Sequence, residues 1–262
     1  MSMYVASQNG HIEIVKHLVE HVADDNICNG EDVAPLHIAS HDGHTEIVKH
    51  FVECGADDNI CDVRNVAPLH IASHDGHTEM VKHFVEHGAD VNICNMKNVT
   101  PLYLASQNGH TEIVKHLVEC GADVNICNMK NVNDVAPLHI ASHDGHTEIV
   151  KHFVECGADD NICDVRNVAP LHIASHDGHT EMVKHFVEHG ADVNISSQNG
   201  HTEIVKHLVE CGADVNICNM KNVTPLYLAS QNGHTEIVKH LVEHGANVNI
   251  CNMKNVNVCS IT

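Results

Sequence analysis

The spacing of the prolines constrains the fold more than any other feature of the sequence. The six prolines are separated by 33, 33, 36, 33 and 55 residues, and they lie at positions 35, 68, 101, 137, 170 and 225. A unit of 33 residues, with one insertion of three residues and one deletion of eleven, accounts for all of these distances. Repetition at this length is typical of solenoids, in which each unit buries its apolar faces by stacking on its neighbours.

Each unit predicts two short helices, an inner one followed by an outer one. Pro35 is suited to the first turn of the inner helix, because the N–H that proline lacks is unpaired there in any helix. Ile47, Val48 and Phe51 recur at helical spacing and form the apolar stripe of the outer helix. Gly55 then follows the outer helix at the left-handed position that glycine favours. Along the chain we expect eight outer helices and seven inner helices.

The motifs of the unit resemble those of the ankyrin repeat: T-P-L-H at the inner helix, G-H before the outer helix, and G-A-D-V-N after it. The resemblance covers Met3 to about Asn255, in order and at the period of that family. It implies an all-α solenoid of stacked helix-turn-helix units joined by short β-hairpins. The Thr and His of T-P-L-H never occur together here. Units with Ala in place of Thr are expected to be less stable, since a Thr cap contributes roughly 0.5 to 2 kcal/mol.

The irregular spacings predict how the array is divided. We expect residues 1–195 to form a first unit without its hairpin and then five full units, with the three-residue insertion near 133–135. Residues 196–222 are expected to form a truncated unit that lacks its inner helix, followed by a further repeat at 223–255 and a tail at 256–262. Residues 33–93 recur unchanged as residues 135–195, which indicates that a block of several units was duplicated.

Composition argues against several classes of partner and several compartments. Lys and Arg number 14 against 35 Asp and Glu, a net charge of −21 that disfavours binding to nucleic acid or to anionic membrane surfaces. No segment approaches the roughly 18 apolar residues of a membrane helix. Most of the 12 Cys recur at fixed positions of the unit, so repetition rather than a disulfide framework explains their number. We therefore expect an intracellular, reducing location, cytoplasmic or nuclear.

The 28 His residues raise the possibilities of metal binding and catalysis. On the outer helices a His is followed four residues later by Cys or His, at His50 and Cys54, His116 and Cys120, His152 and Cys156, His207 and Cys211, His17 and His21, His83 and His87, His185 and His189, and His240 and His244. Two ligands do not complete a zinc site, and neighbouring pairs lie about one repeat apart. His41 and Asp42 recur together without a nucleophile and oxyanion site. We expect no metal site, no cofactor, no catalytic residues and no small-molecule substrate.

The resemblance implies a protein-binding scaffold, whose partner lies on the concave face lined by the hairpin tips and the exposed side of the inner helices. Transferred position by position, the candidate partner-binding residues are Cys61, Val63, Arg64, Val66, His74, Asp75, Cys94, Met96, Lys97, Val99, Gln107, Asn108, Cys163, Val165, Arg166, Val168, His176, Asp177, Met220, Lys221, Gln231 and Asn232. Apolar residues with one cation per unit favour an extended acidic or mixed peptide. Two alternatives remain: a recently duplicated, spacer-like array without an evolved partner, and metal binding through His and Cys.

Overall fold

A computed structural model describes residues 2–21, 26–128, 134–193, 200–218 and 223–249. Within these ranges the chain forms fifteen helices, and inner helices of seven or eight residues precede most of the outer helices of nine. They are α1 (Ser2–Gln8), α2 (Ile12–Glu20), α3 (Pro35–His41), α4 (Thr45–Glu53), α5 (Pro68–Asp75), α6 (Thr78–Glu86), α7 (Pro101–Gln107), α8 (Thr111–Glu119), α9 (Pro137–His143), α10 (Thr147–Glu155), α11 (Pro170–Asp177), α12 (Thr180–Glu188), α13 (Thr202–Glu210), α14 (Pro225–Gln231) and α15 (Thr235–Glu243). The predicted set of seven inner and eight outer helices is thereby confirmed.

Contacts divide the chain into two compact units, Met1–Asp144 and Gly145–Thr262. In the first unit, α1, α3, α5, α7 and α9 pack one after another as a row of inner helices, and α2, α4, α6 and α8 pack as a row of outer helices. The core lies between the two rows. Leu36 and Leu69 contribute to it from the inner helices, and Phe51 and Phe84 contribute from the outer helices, all fully buried.

The second unit contains the position where a repeat was expected to be truncated. Its outer helix α13 packs against α12 on one side and α15 on the other. Among the described residues no inner helix lies between α12 and α13 in the chain order, and residues 194–199 are outside the described ranges. Ile204 and Leu208 of α13 are nevertheless buried. The row of outer helices therefore continues through this position, while the described inner helices are α11 and α14.

Within the described ranges the connections between repeats are turns, and the expected β-hairpins are not confirmed. In one of them the Asp62 N–H donates to the Val66 carbonyl at 3.1 Å, and the Asn65 N–H donates to the Asp62 carbonyl at 2.9 Å. Asn65 has a φ of 57°, a left-handed conformation that asparagine tolerates better than most residues. Within the described ranges no strand forms, and the isolated bridge between Asn128 and Val135 is the nearest approach to one. Nor does any helix there combine the length and the apolar character that crossing a bilayer would require.

Candidate partner-binding face

Three successive turns of the first unit are joined by backbone hydrogen bonds into one edge. We call this edge the tip row, and it consists of residues 29–33, 62–66 and 95–99. The Val63 N–H donates to the Glu31 carbonyl at 3.1 Å, which links the first turn to the second. The Met96 N–H donates to the Arg64 carbonyl at 3.0 Å, which links the second turn to the third. The backbone therefore fixes the spacing between the side chains that project from neighbouring turns.

A buried carboxylate shapes the middle turn of the tip row. Asp62 accepts the backbone N–H of Arg64 at 2.8 Å and that of Val66 at 2.9 Å. It also accepts the guanidinium of Arg64, through Nε at 3.1 Å and Nη2 at 2.9 Å. Burial acts to raise the pKa of Asp62, but these N–H bonds and the Arg64 charge outweigh it and lower the pKa below its ordinary value. Asp62 is thus a charged turn residue that also orients Arg64.

The same side-chain hydrogen bonds to the turn recur in the second unit. They also recur, with an uncharged Asn in place of Asp, in the other two turns of the tip row. Asp164 accepts the guanidinium of Arg166 at 2.9 Å and 2.7 Å. In the third turn Asn95 accepts the backbone N–H groups of Lys97 at 2.9 Å and Val99 at 3.1 Å. Each of these side chains closes its own turn in the manner of an Asx-turn. In the Asp-containing turns the carboxylate also forms an ion pair with the Arg two residues later, which the uncharged Asn side chain cannot do.

Large apolar side chains project from the tips into solvent. Val63 is 51% exposed and Met96 is 72% exposed, and Val165 of the second unit is 51% exposed. Arg64 and Lys97 follow the first two of them directly in the chain and are also exposed. Apolar and cationic side chains that alternate on an exposed edge resemble the composition of protein-binding surfaces, where Met and Arg are enriched.

Most of the predicted binding residues are accessible, but not all of them. Exposed residues are Val63, Arg64, His74, Met96, Lys97, Asn108, Cys163, Val165, Arg166, His176, Asp177, Gln231 and Asn232. Half-buried residues are Cys61, Val66, Asp75, Cys94, Gln107 and Val168. Val99 is only 6% exposed, and we leave it out of the face because its side chain is part of the core. Met220 and Lys221 lie outside the described residues.

The thiols on this face point back to their own turns. Sγ of Cys61 donates to the carbonyl of Asn59, and Sγ of Cys94 donates to that of Asn92, both at 3.4 Å. Burial, reinforced by nearby carboxylates, raises the pKa of the Cys61 and Cys94 thiols above the ordinary value. Thiols in this state are poor nucleophiles at neutral pH.

Polar pairs border the face at the ends of the inner helices. Nδ1 of His74 lies 2.6 Å from a carboxylate oxygen of Asp75, and Nδ1 of His176 lies 2.7 Å from one of Asp177. The backbone carbonyl of His74 also accepts a hydrogen bond from Nε2 of His110 in the next repeat, at 3.0 Å. The orientation of this border therefore depends on the repeat that follows.

Sequence reasoning missed the first turn of the tip row. Residues 29–33 depart from the tips of the other units, and none of them was predicted to bind. Asn29 nevertheless accepts the N–H groups of Glu31 at 2.9 Å and Val33 at 3.1 Å, as Asn95 does in its own turn. An Asx residue at the position of Asp62 was the signal that could have identified this turn. Its inclusion adds the exposed Glu31 to the face and makes the charge of the tip row mixed.

Comparison with known proteins agrees with the repeat geometry. A family model described as ankyrin repeats (3 copies) matches residues 2–62, 36–128, 125–197 and 194–257, which together cover nearly the whole chain. No curated protein matches the chain. Ankyrin repeats are in general protein–protein interaction modules, and proteins built from them are typically non-enzymatic scaffolds. The stacked inner and outer helices and the matched sequence lead to one conclusion: the chain belongs to the ankyrin repeat family.

Proposed function

We propose that the chain is a protein-binding scaffold that holds a partner along the tip row and the exposed side of the inner helices. The observation that carries this proposal is the pair of exposed apolar side chains, Val63 and Met96, on turns whose backbones are hydrogen bonded together. Side chains held at a fixed spacing lose less entropy on binding than those on independent loops. The tip row therefore offers contacts that are already organised for a partner.

The charges of the tip row define the kind of partner. Arg64 is held by Asp62 but its side chain remains 74% exposed, so its outer edge is open to a second carboxylate. Lys97 is exposed on the next turn, and Glu31 and Asp32 on the preceding turn are exposed as well. An extended peptide with apolar side chains and both acidic and basic groups would satisfy this order of charges. Each repeat would add a small contribution, and the contributions would accumulate along the peptide.

Substitutions at the tips provide the test. In the tip variant, Val63→Asp and Met96→Asp place charges at the two most exposed apolar positions of the row. The control variant carries Ile14→Asp and Val242→Asp in the outer helices α2 and α15, where the side chains are 51% and 44% exposed but belong neither to the tips nor to the inner helices. Proteins retained from an extract of the source cell are identified for both variants and the wild type, and the affinity of each purified candidate is then measured.

The proposal expects a partner that binds the wild type and the control variant equally and the tip variant at least about tenfold more weakly. A single hot-spot side chain contributes about 2 kcal/mol, so the loss of two should exceed this factor. A partner that binds the tip variant as tightly as the wild type would place the binding surface elsewhere.

The duplicated block favours one other candidate function, a spacer whose length matters and whose surface does not. Residues 33–93 and 135–195 are identical, so the tips at 62–66 and 164–168 carry the same side chains. If the wild type retains no protein above the background of a resin without the chain, the spacer function accounts for the array and the scaffold proposal is wrong.

A further inference from the structure

Three possible metal ligands lie together on the outer helix α2. One ligand atom each of His17, Glu20 and His21 falls within 4.8 Å of the others, and all three side chains are exposed. Their spacing of three and four residues places them on one face of the helix. The two imidazole rings are already close, with centroids 4.2 Å apart.

A hydrogen bond prepares His21 for metal binding. Nδ1 of His21 lies 2.8 Å from the backbone carbonyl oxygen of His17. A carbonyl oxygen can only accept, so Nδ1 carries the proton and the neutral ring presents its lone pair at Nε2. Metal-binding histidines are commonly oriented in this way, by donating their second ring nitrogen to a backbone carbonyl.

The same His-x-x-Glu-His pattern occurs on three other outer helices, where the surroundings differ. In α6 the counterpart of His17 is His83, which is 8% exposed and whose Nε2 is buried. The helix α6 packs between α4 and α8, whereas the described outer-helix neighbour of α2 is α4 alone. Nε2 of His185 and Nε2 of His240 are also buried. Of the described residues, those of α2 are the set in which three ligands come together.

We propose that His17, Glu20 and His21 bind a Zn²⁺ ion at the surface of α2. Two imidazole nitrogens and one carboxylate oxygen are a donor set that zinc accepts, at about 2.0 to 2.2 Å, with water in the remaining position. The ligand atoms lie within 4.8 Å of one another, and rotations of the three exposed side chains would bring them to one ion. The site adds to the proposed protein binding without depending on it, because α2 is outside the tip row. The sequence analysis considered the His pairs without the Glu between them.

Site-resolved chemical modification of histidine can test the proposal despite the many other His residues. Diethylpyrocarbonate acylates neutral imidazoles, and Zn²⁺ bound at a ring nitrogen blocks the reaction. The peptide that carries His17 and His21 is unique in the sequence, so its modification can be followed by mass spectrometry during a Zn²⁺ titration at pH 7.5. We expect this peptide to be protected at lower Zn²⁺ concentration than peptides that carry His83 and His87.

Three variants assign the ligands. Glu20→Gln should raise the Zn²⁺ concentration for half-protection by about tenfold, since even the loss of an outer-shell partner commonly has an effect of that size. His17→Ala should leave His21 unprotected over the same range. The double variant His83→Ala, His87→Ala is the matched control and should leave protection of the α2 peptide unchanged. Protection that is equal at all four patterns, or a Glu20→Gln variant that behaves as the wild type, would overturn the three-ligand site.

Discussion

Nε2 of His37 lies 3.0 Å from the backbone carbonyl oxygen of Val66, which belongs to the next repeat. Nδ1 of the same ring accepts the N–H of Ala34 at 3.0 Å, so the proton is on Nε2 and the ring is neutral. His70 repeats the arrangement, with Nε2 3.0 Å from the carbonyl oxygen of Val99. A neutral histidine therefore links consecutive repeats, and protonation at Nδ1 would remove its bond to the N-terminus of its own helix.

This arrangement predicts that acid destabilises the array. Burial lowers the pKa of His37, His70 and His172 below the ordinary value. In the unfolded chain these rings titrate near ~6.5, so below that pH the unfolded state binds more protons and the free energy of unfolding decreases. His41 acts in the opposite direction, because its bond to Asp42 raises its pKa, but it is exposed and its contribution is screened. Urea denaturation at pH 7.5 and pH 5.5 measures the net change.

A repeat of the same chain supplies the control for the pH prediction. The double variant Ala67→Thr, His70→Tyr gives this unit the Thr and Tyr found at Thr100 and Tyr103, and it removes one buried imidazole. We expect the stability of this variant to fall less between pH 7.5 and pH 5.5 than that of the wild type. An unchanged fall would mean that His70 does not contribute to the acid sensitivity.

The glycine before the outer helix α6 should tolerate alanine less than the glycine after it. A Cβ at Gly76 would lie 2.6 Å from Cε1 of His110, and its φ of 81° is left-handed. Gly88 has a φ of 99°, but a Cβ there would meet nothing within 4 Å. Gly88→Ala should lower the free energy of unfolding by about 1 to 2 kcal/mol through backbone strain alone. Gly76→Ala should lower it further, because His110 must also move, and equal losses in chemical denaturation would argue against this contact.

The helix caps predict that one conservative substitution stabilises the protein. The Thr100 hydroxyl oxygen accepts the N–H of Tyr103 at 3.1 Å, whereas in the repeat before it the His70 N–H donates to the Ala67 carbonyl at 3.0 Å. Thr100 is as fully buried as Ala67, so the position accommodates the larger side chain. Ala67→Thr should raise the free energy of unfolding by about 1 kcal/mol, and Thr100→Ala should lower it by about the same amount. A melting temperature that falls for Ala67→Thr would show that the hydroxyl does not reach the His70 N–H.

Two helices of identical sequence should differ in their protection from hydrogen exchange. The outer helices α8 and α13 both read TEIVKHLVE, and α8 packs against the inner helix α7 of its own unit. Val205 of α13 is 8% exposed, whereas Val114 at the same position of α8 is fully buried. In a linear array of repeats, a weakened interface allows the parts on either side of it to unfold separately, instead of lowering the stability of the whole array evenly. We therefore expect α13 to exchange faster than α8.

Limited proteolysis provides a second measurement at the same place. Cleavage is expected first between Asp192 and Gly200, leaving a resistant fragment of about residues 1–195 and a weaker block of about 197–255. Equal exchange in α8 and α13, together with one cooperative unfolding transition, would contradict the division into two blocks.

Local patterns in the sequence were sufficient to predict the helices and insufficient to predict their surroundings. Proline at the start of an inner helix, glycine at its end and apolar residues at helical spacing act within one unit, so every described helix could be predicted. The burial of Val99 and the difference between His17 and His83 depend on which repeat lies alongside. These differences arise from how the repeats stack on one another, so they cannot be predicted from a sequence pattern that is the same in every repeat. The β-hairpins that the resemblance implied are not confirmed among the described residues, where one isolated bridge joins Asn128 and Val135.

The hydrogen bond from the Met96 N–H to the Arg64 carbonyl has a consequence for the length of the peptide that the proposed scaffold would bind. In the tip row each turn is hydrogen bonded to the one before it, so the main chain sets the spacing between neighbouring turns. Gain or loss of a whole 33-residue unit would lengthen or shorten the row of turns and leave the spacing between neighbouring turns unchanged. Under the proposed function, duplication of a unit would therefore change the length of peptide that can bind, while the contacts made by each unit stay the same.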